Sequence, residues 1–189
     1  MANRWKNLKI ARWSKMMNNR ELYQLASKYI GGRCPEAKRF CGLGSSDPYC
    51  CALVTYIFDK GGDASLWYGG KKVVYVPTAE TWCRANLAEI PLYLAMPMDV
   101  VTFDWNGNGV PDHIGFVRDR KSDTEIYTIE GNTSGGIVAC KTRPAKYISG
   151  VFRPHFKGSF NADKPLVIDG QFGYSTIACL RKALGMKPK

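Results

Sequence analysis

Residues 45–62, SSDPYCCALVTYIFDKGG, place Cys50 and Cys51 side by side where a turn gives way to an apolar run. A thiol at a helix N-terminus sits among unpaired backbone N–H groups at the positive end of the helix dipole. Such a place favours the thiolate and can also hold an oxyanion. Nucleophilic catalysis by that thiol needs a base to take its proton and a third group to orient the base. The chain offers two histidines. His113 starts a strand-like stretch and alternates there with Ile114 and Phe116, whereas His155 follows Pro154 and reads as a surface residue. Downstream, YTIEGNTSGG carries Glu130 and Asn132 two apart, so in extended chain both point to one side of a sheet. One can orient the His113 ring and the other can add a polar group near the thiol. A lone buried cysteine, or a histidine on a sheet, is structural more often than not. Cysteine, histidine and acid or amide in that order, on a helix and then on adjacent strands, suit a cysteine hydrolase, with either Cys50 or Cys51 as its nucleophile.

The elements that must position these groups are readable from periodicity. Residues 20–30 carry apolar side chains at 22, 25, 26, 29 and 30, one face of a helix, with Asn18 and Asn19 as caps and Gly31-Gly32 as the stop. Residues 49–60 predict a second helix, capped by Ser46 or Asp47, with Pro48 in its first turn and Gly61-Gly62 at its end. Residues 78–88 predict a third, capped by Thr78. The period then changes. Segments 99–105, 112–119, 124–131, 136–142 and 147–154 are short, rich in β-branched and aromatic residues, and separated by turn clusters such as NGNGVP and KSD. Helices followed by an antiparallel sheet define an α+β fold. KGSFNADKP, residues 157–165, reads as a linker, and residues 166–189 begin a new unit.

Bulk properties narrow the class. The chain has 189 residues, 45% of them hydrophobic and 12% aromatic, enough for one domain with a real core. No run approaches the roughly 18 apolar residues of a membrane helix, and the basic N-terminus lacks the apolar segment of a signal peptide. A soluble monomer left in the cytoplasm that makes it is the expectation. Lys and Arg number 27 against 16 acids, a net charge of +11. This balance suits polyanionic partners or simply a soluble surface. The basic residues are scattered, without an Arg-rich arm or zinc-finger pattern, so nucleic acid is not the expected partner. The seven cysteines include no CxxC pair, which disfavours a zinc site. Most read as reduced core residues, with Cys34 and Cys41 able to close a short loop only outside the cell. In DWNGNGVPD, Asp104, Asn106, Asn108, Gly109 and Asp112 fall at positions 1, 3, 5, 6 and 9 of a calcium loop, but Gly115 stands at position 12, where a bidentate Glu belongs. An Asx-rich hairpin turn carrying His113 into place is the preferred reading, and no metal or cofactor is expected.

Three segments, PYCCALVTYIFDKGG, MDVVTFDWNGNGVPDHIGFV and IYTIEGNTSGG, resemble the CHAP family of cysteine, histidine-dependent amidohydrolases/peptidases, over roughly residues 20–155. The resemblance implies a papain-like fold and a catalytic domain spanning residues 1–156. It also implies cleavage of an amide bond in peptidoglycan, as in phage endolysins, by a peptide endopeptidase or an N-acetylmuramoyl-L-alanine amidase. In the family the nucleophile follows an aromatic residue and precedes a small one. Aligning Tyr49-Cys50 with that pair brings Tyr56, Phe58 and Gly62 onto the family's aromatic and glycine positions, so the resemblance selects Cys50 and leaves Cys51 as core filler. His113 carries over as base and Glu130 as its orienter, with Asn132 as alternative or fourth member. The family often has Gly-Asp where this chain has Met98-Asp99, which puts the turn geometry there in question. The acidic residues with which some members bind calcium ahead of the nucleophile are reduced to one in CGLGSSDP. LVIDGQFGYSTIACLRKALG resembles the opening of a cell-wall-binding repeat, about 25 residues and too short for its own core, so a truncated longer protein is expected. The expected partners are peptidoglycan and anionic wall polymers. A lysin of this kind stays in the infected cell until release onto the wall. The alternatives are a bacterial autolysin or antibacterial amidase effector, or a non-catalytic basic module binding wall polymer or nucleic acid.

Overall fold

A computed structural model describes residues 19–62 and 64–156. The linker at 157–165, the expected wall-binding repeat at 166–189 and the proposed Asn18 cap lie outside the described residues. Four helices come first: α1 (Asn19–Ser27), α2 (Pro35–Cys41), α3 (Cys50–Lys60) and α4 (Val76–Asn86). Six strands follow: β1 (Ala88–Glu89), β2 (Val100–Phe103), β3 (His113–Arg120), β4 (Glu125–Glu130), β5 (Ala139–Pro144) and β6 (Ile148–Arg153). They form one antiparallel sheet in the order β1-β6-β2-β3-β4-β5. The α+β expectation holds.

The centre of the molecule is α3. Its residues from Cys50 to Phe58 are all buried, because CCALVTYIF is apolar on every side rather than along one stripe. Phe58 stacks on Trp67 at 5.6 Å between ring centroids and meets Phe116 of β3 at 5.7 Å, which seats the helix on the sheet. Truncating Phe58 to Ala would cost about 3–5 kcal/mol. Alternation sorts the strands into two faces. Val100, Ile114, Phe116, Ile129 and Phe152 join the helices in the main core. Val101, Phe103, Val117, Ile126 and Val151 form a smaller cluster on the other face with Ala95. His113 shares that second face with Val117, and Glu130 shares it with Ile126.

Helix ends differ from the sequence expectation. α1 stops at Ser27, and Lys28, Tyr29 and Ile30 tighten into bonds to residues three back, leaving Ile30 to bridge Val138. α3 is capped by Tyr49, not by Ser46 or Asp47, and Pro48 lies before its first turn. The Asp47 carboxylate is drawn away by the Gly44 N–H at 2.7 Å. α4 begins at Val76, capped by Tyr75, so Thr78 lies within it. α2 occupies what the sequence suggested was a Cys34–Cys41 loop, with Pro35 in its first turn and Gly42 left-handed at its end. Seven residues of helical rise separate the two Cα atoms by about 10 Å, beyond disulfide reach. Both thiols are free.

Candidate active site

Cys50 is the first residue of α3, and the first intrahelical bond runs from the Leu53 N–H to the Tyr49 carbonyl at 2.8 Å. No side chain caps the helix. The start of α3 is fixed against the chain that follows β4. The Tyr49 hydroxyl donates to the Gly136 carbonyl at 3.0 Å. Gly131 lies so close that a Cβ there would meet Leu53 at 2.9 Å and the Tyr49 ring at 3.2 Å. This close approach needs glycine. His113, first in β3, and Glu130, last in β4, therefore lie at the sheet end where α3 begins.

Cys50 lies close enough to His113 to raise its pKa, and His113 Nε2–H donates to Glu130 Oε2 at 3.0 Å. With Nε2 committed to the carboxylate, Nδ1 is the ring atom left for the thiol. Glu130 is fully buried, and Arg143 of β5 grips it with Nε to Oε1 at 2.7 Å and Nη2 to Oε2 at 2.6 Å. The Thr128 hydroxyl donates to the same Oε1. Gly115 makes room for this carboxylate, since a Cβ there would stand 2.8 Å from Glu130 Cγ. Burial opposes charge on His113, but the neighbouring Cys50 and Glu130 outweigh that and carry its pKa up to about 9. Burial likewise raises Glu130, yet Arg143 first, then His113 and Thr128, bring it down to about 2. The result is a chain of contacts, Cys50–His113–Glu130–Arg143, able to hold an imidazolium beside a thiol.

The other sequence candidates separate clearly. Cys51 is fully buried, burial pushes its thiol well above the ordinary value, and its Sγ points at the Val73 carbonyl at 3.5 Å. Asn132 is not in extended chain. β4 ends at Glu130 and Asn132 turns at φ 57°, the left-handed region that asparagine tolerates, so strand alternation does not carry it to Glu130's side. It instead lines a cleft of about 280 Å3 with His113, Trp105, Ser134, Lys141 and Arg143. His155 is exposed, its Nε2 3.3 Å from the Asn86 carbonyl. Asp104 accepts the N–H groups of Gly107, Asn108 and Gly109, Asn106 accepts that of Asn108, and Asp112 Oδ2 accepts that of Trp105 at 3.0 Å. The loop is an Asx-rich turn that delivers His113 to the start of β3. Among the described residues no group of three or more His, Cys, Asp or Glu is gathered to hold a metal.

Sequence reasoning missed Arg143, Thr128 and Gly115. Arg143 escaped because the expected strand ended at residue 142, one short of it. Period two from Ala139 through Lys141 to Arg143, extended by two residues, would have put it on the same face as Thr128 and Glu130. Met98 answers the question raised by the missing glycine. It adopts φ 73° while fully buried, holding the left-handed turn without glycine.

The CHAP domain family model matches residues 42–132, which include Cys50, His113 and Glu130, and bears out the resemblance. A crystal structure described as a wild type endolysin, LysIME-EF1, is similar to this chain with a TM-score of 0.48 and 12% identity, over 76% of this chain and 67% of the other. No curated protein matches. Among the described residues no helix is long and apolar enough to cross a membrane.

Proposed function

We propose that the protein is a peptidoglycan hydrolase of the phage endolysin type, cutting an amide bond of the wall peptide with Cys50 as nucleophile. The observation that carries this is the contact chain from Cys50 through His113 and Glu130 to Arg143, beside an open cleft. The CHAP match supports amide hydrolysis as the reaction class. In this reading the Cys50 thiolate attacks the scissile carbonyl, and the uncapped N–H groups at the start of α3 receive the developing oxyanion. His113, held protonated, gives its proton to the leaving amine. A thioester on Cys50 results. Water then attacks it, with His113 taking the proton back and the thiolate leaving. Glu130 holds the ring orientation, and Arg143 and Thr128 hold Glu130. Asn132 adds an amide to the cleft beside the reacting atoms.

The test is a zymogram on purified cell walls, wild type against Cys50→Ser, with mass analysis of the released fragments. New amino groups at the stem peptide or cross-bridge mark an endopeptidase, and release of L-alanine N-termini from the glycan marks an amidase. Intact walls after prolonged incubation with folded wild-type protein reject the reading. The same fragments would arise from an autolysin or antibacterial effector, so this experiment tests the bond cut and not the biological setting.

A further inference from the structure

The cleft contains a cation that the contact chain leaves unused. Of its two basic side chains besides His113, Arg143 is committed bidentately to Glu130, at 2.7 and 2.6 Å. Lys141 stands opposite Thr128 in the β4–β5 ladder, between the rungs of Glu130 and Arg143 and on their face. It is half-buried, and among the described residues no acidic side chain lies within ion-pair distance of its ammonium. No carboxylate lines the cleft, because Glu130 is fully buried and neutralised from behind. Asn132 and Ser134 add neutral donors to its lining. A half-desolvated lysine in a cleft that also holds neutral donors, with no acid to answer it, is complementary to an anion.

We propose that Lys141 is a specificity residue that binds a free carboxylate of the peptide being cut, so that the enzyme prefers wall peptides whose carboxylates are not amidated. The proposal rests on the hydrolase reading for the identity of the ligand, since a cleft beside the scissile amide must be filled by the substrate's own chain.

The probes are one soluble wall peptide with its carboxylates free and the same peptide with every carboxylate amidated. Wild type should favour the free form by about tenfold in kcat/KM, the size expected of one charge-assisted bond. Lys141→Met should abolish the preference by raising KM on the free form while keeping kcat, and Lys141→Arg should keep it. Thermal midpoints confirm that both variants fold. Equal cleavage of the two peptides by wild type, or an unchanged KM in Lys141→Met, overturns the proposal and leaves the hydrolase reading intact. Calorimetric binding of both peptides to Cys50→Ala separates the two readings further. Lys141-dependent binding of the free form without any turnover by wild type upholds the anion site and rejects the hydrolase, and absence of binding together with absence of turnover rejects both.

Discussion

His113 is pulled in two directions, by burial toward neutrality and by its two partners toward charge, and the partners win, with a pKa raised to about 9. If His113 supplies the proton to the leaving amine, kcat/KM on a small soluble substrate should fall on the alkaline side with a midpoint near pH 9. Glu130 is one of the groups that raise His113, so Glu130→Gln should move that limb to lower pH as well as slow the reaction. A rate that stays flat through pH 10 would remove His113 from the proton transfer. The two adjacent cysteines make the complementary test. Cys50→Ser should lower lysis by roughly a thousandfold or more. Cys51→Ser should keep most of it, because a serine there can donate to the Val73 carbonyl and limit the cost to about 1 kcal/mol. A folded but inactive Cys51→Ser beside an active Cys50→Ser reverses the assignment.

Among the elements, the site depends on two close approaches that glycine permits. At Gly115 an added Cβ would meet Glu130 Cγ and the Ile129 carbonyl oxygen, both at 2.8 Å, one a side-chain atom and the other backbone that cannot swing aside. Gly115→Ala should therefore destabilise the fold by about 1–3 kcal/mol. It should also displace the carboxylate from His113 and cost roughly a hundredfold in kcat, read by kinetics beside a thermal melt. Wild-type kcat in the alanine variant would show that Glu130 has room to spare. The same elements show what the sequence could and could not disclose. His113, the Cys50–Cys51 pair and the Glu130–Asn132 pair were readable because local pattern marks where they fall: at the end of an Asx turn, at the onset of an apolar run and on an alternating strand. Choosing Cys50 and Glu130 within those pairs took the CHAP resemblance. Arg143 was not readable, because its role comes from the pairing of β5 with β4, and pairing register is a long-range property. α2 was not, because PEAKRFC is too short to display a helical period. The cap of α3 was misplaced because Asp47, a strong capping residue by type, is used by the turn before it.

For the whole molecule the question is where the excess positive charge goes. Among the described residues, Glu80 and Glu89 pair with Arg84, Asp99 with Arg153, Glu130 with Arg143, Asp123 with Arg120 and Glu125 with Lys121. Of the net +11 of the chain, the described residues carry +3, with 16 Lys and Arg against 13 acids, and so present a mildly basic surface. A chain of that net charge should concentrate on a wall bearing phosphate or carboxylate polymers, over a range of about 10 Å at 0.1 M salt. The contacts among Cys50, His113, Glu130 and Arg143 are largely buried, and their mutual attraction is screened much less. Raising salt from low to several hundred millimolar should therefore depress lysis of intact cells steeply. On a soluble peptide whose carboxylates are amidated, so that Lys141 has no anion to hold, cleavage should change little. Comparable loss on both substrates would mean that salt acts at the site itself, and the basic surface would then have no part in wall capture.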